Sequence, residues 1–144
     1  MLIQNWMKRD VRTVKPLDSI AHARDIMESH RINQLPVLVA GKLVGIVTDR
    51  NLRDAFPSVF DAPPFGKHKA PAGANPKEIT VEMVMTPHVL TLSPTTSIVE
   101  AARIMRRERI GAIPIVDGPR LVGILTRSDV LDAFVTLAER SPTA

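Results

Sequence analysis

The sequence predicts an α+β fold made of two copies of one β-α-β-β-α unit. The first observation is an internal repeat: a shift of 78 positions aligns Met7 with Met85 and continues without a gap to Phe56 and Phe134, with about 20 identities in 50 positions. The second is the helical spacing of apolar residues near the start of each copy. The third is a pair of short runs rich in β-branched residues that follows in each copy. Together these patterns indicate two copies of one supersecondary unit.

The first helix of each copy follows a proline. In the second copy the run Ser97–Glu100 has the form of a capping box, and the apolar stripe that follows predicts a helix ending near Arg109. The counterpart in the first copy runs from Ser19 to His30, with Asp18 or Ser19 as its N-cap. The stripes predicted to be buried are Ile20, Ala23, Ile26 and Met27 in the first copy and Ile98, Ala101, Ile104 and Met105 in the second.

A hairpin and a second helix complete each copy. In the first copy the runs 35–39 and 43–47 flank Ala40-Gly41-Lys42, and in the second copy Asp117-Gly118 separates the equivalent runs. The second helices are predicted to start near Thr48 and Thr126, and the one after Thr126 is the longer. The methionines pair across the repeat, which is typical of core positions.

The repeat and the proline content define the domain organisation. We expect a first repeat, a proline-rich irregular linker, a second repeat and a frayed tail, at 1–56, 57–78, 79–140 and 141–144. Short segments, Leu2 to Met7 and Thr80 to Met85, are expected to lead into copies one and two, the latter as a short helix.

Composition excludes several classes of function. The chain has no cysteine, so zinc-thiolate sites, disulfides and cysteine nucleophiles are excluded, and a cytoplasmic protein is expected. No signal peptide or membrane-spanning run is visible. Nineteen Lys and Arg against 15 Asp and Glu give a net charge of +4, which suits an anionic ligand. With one Trp, four Phe and no Tyr, the chain has few aromatics for stacking nucleic-acid bases.

The motif that runs from Gly123 to Asp129 carries the clearest chemistry. A buried strand delivers the chain to the first turn of a helix, whose free amides attract phosphate. The Thr126 hydroxyl can add a hydrogen bond, and the Asp129 carboxylate can accept both hydroxyls of a ribose. Thr-x-x-Asp is also close to a capping box, so the same residues could serve only their own helix. The spacing alone leaves both interpretations open.

Taken together, the duplication, the Ile-x-x-hydrophobic-Pro segment in each copy and the Gly-x-x-Thr motif resemble a tandem CBS-domain pair, or Bateman module. The opening segment and the run from Gly45 to Arg53 are similar to small bacterial CBS proteins of the acetoin-utilisation type. The resemblance implies two repeats packed about a pseudo-twofold axis, with two clefts that can each hold an adenosine derivative. It implies no required cofactor, and it makes AMP, ADP or ATP the expected regulatory ligand.

The resemblance also implies which residues bind. In the second copy, the base would lie near Thr91 and the segment from Ile110 to Pro114, and the ribose phosphate near the Thr126 motif. The ligand-binding residues expected there are Thr91, Ile110, Gly111, Ala112, Ile113, Pro114, Thr126, Arg127, Ser128 and Asp129.

The first copy departs from this pattern, because Asn51 replaces the aspartate. An amide lacks charge assistance and offers one acceptor oxygen, so we expect ribose binding weaker by about 1 kcal/mol or more. The residues of this weaker cleft are Thr13, Ile32, Asn33, Gln34, Leu35, Pro36, Thr48, Asp49, Arg50 and Asn51. Arg50, Arg53 and Arg127 are candidates to neutralise phosphates, and solvated surface charge is the alternative for each.

No catalytic motif is found, and the histidines lack metal-ligand spacing, so neither an enzyme nor a metal site is expected. We therefore predict a regulatory module that senses an adenosine derivative and forms a homodimer through its helices. An unidentified regulated protein is a further expected partner, whereas a membrane and nucleic acid are not. The alternative is a scaffold module with degenerate clefts that binds no nucleotide.

Overall fold

The computed structural model describes residues 1–55 and 75–140, which belong to two compact units. Arg12–Val89 form one, called here the first-repeat unit, and Met1–Val11 with Leu90–Ala144 form the other, the second-repeat unit. Residues 57–74 of the predicted linker and the predicted tail 141–144 lie outside the described residues. No helix in the described ranges is long and apolar enough to cross a bilayer.

The first-repeat unit contains a helix, a hairpin and a second helix, followed by a short helix and a short strand. These elements are α1 (Ile20–His30), β1 (Gln34–Val39), β2 (Lys42–Thr48), α2 (Asp49–Ala55), α3 (Val81–Val84) and β3 (Thr86–Pro87). The strands β1 and β2 are antiparallel, and β3 pairs antiparallel with β2.

The second-repeat unit has the same internal order after a 3-10 helix at Ile3–Asn5. Its elements are α4 (Ile98–Glu108), β4 (Ala112–Asp117), β5 (Arg120–Thr126) and α5 (Arg127–Arg140). The strands β4 and β5 are antiparallel, with Ala112 opposite Thr126. The predicted α+β class and the greater length of the second helix in this copy are both confirmed.

Serine caps begin the first helix of each copy, as predicted. Ser19 Oγ accepts from the His22 N–H, and Ser97 Oγ from the Glu100 N–H, each at 3.0 Å. Asp18, the alternative cap, accepts instead from the Lys15 N–H. Each of the two helices is followed by an arginine C-cap. Arg31 and Arg109 adopt left-handed φ values of 53° and 56° and so turn the chain out of the helix.

The predicted first strand of each copy is reduced to a single bridge. Val14 forms a parallel bridge to Val37, and Leu92 forms one to Ile115. Prolines follow two residues later in both copies, at positions 16 and 94, and a proline has no N–H with which to continue a ladder. In addition, Asp117 belongs to β4, so the second hairpin turns at Gly118-Pro119 and not at the predicted Asp117-Gly118.

Each core includes a segment from outside its own repeat. The segment Leu2 to Met7, expected to lead into copy one, packs in the second-repeat unit, where Ile3 and Met7 join the core. Likewise Thr80 to Met85 packs in the first-repeat unit, and Val81 joins its core. Each unit thus gains the segment that precedes the other copy, because that segment supplies apolar residues which its core buries.

The glycine of each Gly-x-x-Thr motif lies directly beneath such a segment. A Cβ atom on Gly123 would be 2.6 Å from Met7 Sδ and 2.9 Å from the carbonyl oxygen of Lys8. On Gly45 it would be 2.7 Å from Met85 Sδ and 2.9 Å from the carbonyl oxygen of Thr86. Both distances to backbone oxygen are too short for any side chain, so these two positions require glycine.

We predict that Gly123→Ala lowers the free energy of unfolding by about 1–3 kcal/mol, because the new methyl group displaces the Met7-Lys8 backbone. Urea unfolding followed by circular dichroism measures the change. Gly111→Ala is the matched control: its Cβ would be 3.5 Å from the nearest atom, an ordinary contact, so a change within about 0.5 kcal/mol is expected. Equal stability of both variants would contradict the close approach at Gly123.

Candidate functional site

Thr126 and Asp129 form a reciprocal capping box at the start of α5. The Thr126 N–H donates to Asp129 Oδ2 at 2.8 Å, and the Thr126 hydroxyl donates to the same oxygen at 3.0 Å. In return, the Asp129 N–H donates to Thr126 Oγ1 at 3.4 Å. One carboxylate oxygen therefore holds the strand-to-helix junction, and the capping interpretation of the motif is confirmed for that oxygen.

The other carboxylate oxygen of Asp129 accepts from a lysine. Lys8 Nζ lies 2.5 Å from Asp129 Oδ1 and 3.4 Å from Thr126 Oγ1. The Asp129 side chain is only 6% exposed, whereas that of Lys8 is 55% exposed. A buried carboxylate with one oxygen on the helix cap and one on a partly exposed lysine ammonium can exchange the second partner without loss of the cap.

Lys8 reaches this position because its backbone is fixed on β5. Lys8 and Ile124 exchange two backbone hydrogen bonds of 2.9 Å, directly over the glycine that permits the approach. Lys8 is not among the site residues that the sequence predicts. A signal existed in the repeat register, in which Lys8 aligns with Thr86 while Asp129 aligns with Asn51, so that both charged members of the pair are absent from the first copy.

Backbone hydrogen bonds connect the segments that hold the other ligand-binding residues expected in the second copy. The Leu92 N–H, next to Thr91, donates to the Pro114 carbonyl at 3.2 Å, and the Arg127 N–H donates to the Gly111 carbonyl at 3.1 Å. Ile113 belongs to the hydrophobic core, so its side chain is not free to contact a ligand. Ile110 and Ala112 are half-buried, Pro114 is buried, and Ser128 is exposed.

The first copy has a neutral version of the same junction. Asn51 Oδ1 accepts from the Thr48 N–H at 2.9 Å and from the Thr48 hydroxyl at 3.0 Å, and the Asn51 N–H donates to Thr48 Oγ1 at 3.1 Å. The single acceptor oxygen of the amide is thus used by the cap. What remains is an NH2 group, which can donate to a hydroxyl but cannot accept from one.

Charged residues near the first junction are engaged in ion pairs. The Asp49 carboxylate lies 2.6 Å from Arg24 NH1 and 2.7 Å from Arg53 NH2, so Asp49 and Arg53, both considered as ligand contacts, bind each other. Arg50 is 87% exposed, 4.0 Å from Asp54. These contacts favour a structural role for Asp49 and Arg53, and solvated surface charge for Arg50.

The other residues expected in the first cleft lie along the start of β1. The Val14 N–H, next to Thr13, donates to the Pro36 carbonyl at 3.1 Å, and the Asp49 N–H donates to the Asn33 carbonyl at 2.8 Å. Gln34 is paired with Thr48 in the hairpin register. Leu35 and Pro36 are buried, and Ile32 packs at the edge of the core.

Histidines do not form a site in the part of the chain that the structure describes. His22, His30 and His88 are exposed, and no group of three or more His, Cys, Asp or Glu residues within 1–55 and 75–140 could hold a metal. His68 lies outside these ranges.

Two solved structures share this fold over nearly their whole length. The acetoin-utilization-type protein AcuB from Vibrio cholerae has a TM-score of 0.80 and 27% identity, with 99% of this chain and 98% of that chain covered. CBSX2, solved in complex with AMP, has a TM-score of 0.78 and 26% identity, with coverage of 94% and 97%. The predicted similarity to the acetoin-utilisation type is confirmed at this level.

Sequence comparison gives the same family. A CBS domain-containing protein of Dictyostelium discoideum is 30% identical over 144 residues, 99% of this chain and 97% of that protein. Inosine-5'-monophosphate dehydrogenase of Korarchaeum cryptofilum is 35% identical over 128 residues, which span only 23% of the enzyme. The sequence profile of the CBS domain matches residues 3–58 and 81–136. The chain therefore belongs to the CBS domain family, as a tandem pair of CBS repeats.

Proposed function

We propose that the chain is a regulatory module that binds AMP or another adenosine derivative, mainly at the Thr126–Asp129 junction of the second-repeat unit. The observation that carries the proposal is the second oxygen of the Asp129 carboxylate, which the helix cap does not use. Ribose hydroxyls are donors, and a buried carboxylate is a strong acceptor for them. The AMP complex of CBSX2, at 26% identity over nearly the whole chain, supports this class of ligand.

Lys8 fits the same ligand. Its ammonium group lies at the carboxylate and the Thr126 hydroxyl, and its side chain has the exposure needed to move. When ribose hydroxyls take Asp129 Oδ1, the ammonium can turn to the phosphate of the same nucleotide, since a lysine on a flexible stem readily binds phosphate as a point charge. The adenine would then lie toward Thr91 and the 110–114 segment, which adjoin the junction.

The module acts without catalysis in this proposal. A ligand that binds one conformation better than another shifts the population toward it, and the shift is passed to a regulated partner protein. The similarity to inosine-5'-monophosphate dehydrogenase covers a minor part of that enzyme and transfers no activity.

We predict that Asp129→Asn weakens AMP binding at least fivefold, about 1 kcal/mol, because the amide keeps the capping oxygen but loses the second acceptor. Isothermal titration calorimetry measures the affinity. Asp132→Asn removes the same charge from an exposed position of α5 and should leave binding unchanged. Asn51 forms this cap in the first copy, so the Asp129→Asn variant should stay folded.

Two results would contradict the proposal. Unchanged AMP affinity in Asp129→Asn would reduce the carboxylate to a helix cap. Absence of binding and of thermal stabilisation with AMP, ADP, ATP and S-adenosylmethionine would favour the scaffold alternative, since a ligand at 100 times its Kd should stabilise the protein by about 2.7 kcal/mol.

We predict that Asn51→Asp creates AMP binding in the first-repeat unit. Thr86 replaces Lys8 there, so the second oxygen of the new carboxylate has no lysine competing for it. Calorimetry in an Asp129→Asn background isolates this unit, and the double variant should bind AMP at least fivefold more tightly than Asp129→Asn alone. If Asn51→Asp does not increase the affinity for AMP, the difference between Asn51 and Asp129 does not explain the asymmetry between the copies.

Apolar side chains on α5 support the predicted homodimer. Phe134, Val135 and Leu137 are each at least 50% exposed, an unusual density for the end of one helix. Phe134→Ser should raise the dimer dissociation constant about tenfold or more in sedimentation equilibrium, because a buried phenyl ring contributes about 1.5–3 kcal/mol. Glu139→Ser, on an exposed polar position of α5, is the control. A monomeric wild-type protein at high micromolar concentration would contradict the dimer.

A further inference from the structure

A cleft between α4 and α5 of the second-repeat unit combines an apolar floor with three arginines. Its volume is about 550 Å³. The residues that line it are Ala102, Met105, Arg106, Arg109, Arg127, Val130 and Leu131. A volume of this size lies within the range of small-molecule sites in proteins.

The three arginine side chains have no carboxylate partner among the described residues. No salt bridge or side-chain hydrogen bond joins Arg106, Arg109 or Arg127 to another described residue. The Arg127 guanidinium instead lies against the bare backbone of Gly111, about 3.5 Å from where a Cβ atom would stand. Three positive charges therefore line one cleft without neutralisation from the residues that the structure describes.

The equivalent positions of the first-repeat unit are neutralised. In the 78-residue register, Ala102, Arg106, Arg127 and Leu131 align with Arg24, Glu28, Asp49 and Arg53. There Arg24 binds Glu28 at 2.9 Å and Asp49 at 2.6 Å, and Arg53 binds Asp49 at 2.7 Å. Both carboxylates of this network are replaced by arginines in the second copy, while both of its arginines are replaced by apolar residues.

The replacement of carboxylates by arginines changes which ligands the cleft between α4 and α5 can bind. Like charges lining one cleft repel each other, and an external anion relieves the repulsion. Guanidinium groups match the oxygens of phosphate in a bidentate geometry. Met105, Val130 and Leu131 offer apolar contact beside the charges, so an anion with an apolar group would satisfy both parts of the cleft.

The geometry points to a binding site for a phosphate monoester that carries a small apolar group, in the cleft of Arg106, Arg109 and Arg127. It does not rest on the proposed adenosine site, and it assigns to this cleft Arg127, which the family resemblance had placed in the adenosine cleft. Arg127 and Asp129 are two residues apart on α5, which places their side chains about 200° apart around the helix axis. The cleft thus opens on the side of α5 opposite the buried carboxylate.

Phenyl phosphate is a suitable probe, because it pairs a dianionic phosphate with one apolar ring. We expect calorimetry to show one molecule bound per chain, with inorganic phosphate and benzyl alcohol each binding at least about tenfold more weakly, since each keeps only half of the contacts. Arg106→Gln and Arg127→Gln should each weaken phenyl phosphate binding about tenfold. No binding of phenyl phosphate to the wild type overturns the proposal.

The double variant Ala102→Arg/Arg127→Asp transfers the Arg24–Asp49 ion pair into the second copy. It should close the cleft, abolish phenyl phosphate binding and keep the unfolding midpoint of the wild type. Arg103→Ala, on an exposed position of α4, lowers the net charge by the same one unit and should bind normally. Equal loss in Arg103→Ala would show a general charge effect and overturn a specific site.

The Asp129→Asn variant separates this site from the adenosine site. It should bind phenyl phosphate with wild-type affinity whatever its affinity for AMP. Loss of phenyl phosphate binding in Asp129→Asn, or stoichiometric displacement of phenyl phosphate by AMP, would merge the two sites and overturn the inference. If neither the wild type nor the variants bind AMP while phenyl phosphate binds, only the adenosine proposal is contradicted.

Discussion

The close approach of a backbone segment to a glycine in each Gly-x-x-Thr motif is the constraint on which the rest of the structure depends. At Gly123 the passing segment is Met7-Lys8, and at Gly45 it is Met85-Thr86. The approach lets the segment hydrogen-bond to the neighbouring strand, which buries Met7 in one core and places residue 8 above the start of α5. Without the space that glycine leaves, Met7 and Lys8 could not keep these positions over the strand.

This constraint also explains why the two copies differ in charge at the capping box while they agree in fold. The scaffold fixes where residues 8 and 86 lie, and the side chain at each position then decides the charge beside the capping box. Lysine with aspartate gives a charged pair in one unit, and threonine with asparagine gives a neutral one in the other. Because both versions cap the helix through the same hydrogen bonds, the substitution alters the charge beside the cap and leaves the strand-to-helix junction intact.

Much of the fold could be predicted from the sequence, since helical spacing, serine caps and hairpin turns are local signals. The capping box of Thr126 and Asp129 could also be predicted, because its two members are only three residues apart in the sequence. The partnership of Lys8 with Asp129 was not, as 121 residues separate them and only the backbone path of residues 7 and 8 joins them. For the same reason the sequence did not indicate that Ile3 and Met7 enter the core of the unit that holds the other copy. The reduction of the first strands to single bridges at Val14 and Leu92 also could not be predicted, because it depends on which backbone carbonyl the N–H group of each residue reaches.

The charged groups could diverge between the copies because they carry little of the stability. Exposed ion pairs such as Arg53–Asp49 contribute about 0–1 kcal/mol each, whereas the burial of one large aliphatic side chain contributes about 1.5–3 kcal/mol. Among the described residues, each unit buries eight large apolar side chains in its core, including Ile20 and Leu35 in one and Ile98 and Ile113 in the other. Exchange of a carboxylate for an arginine on the helix surface therefore leaves the fold intact, and it changes which anions the surface attracts. The repeat preserves the apolar positions at equivalent places, and two of its carboxylate-to-arginine exchanges, Glu28 to Arg106 and Asp49 to Arg127, fall in the cleft between the helices.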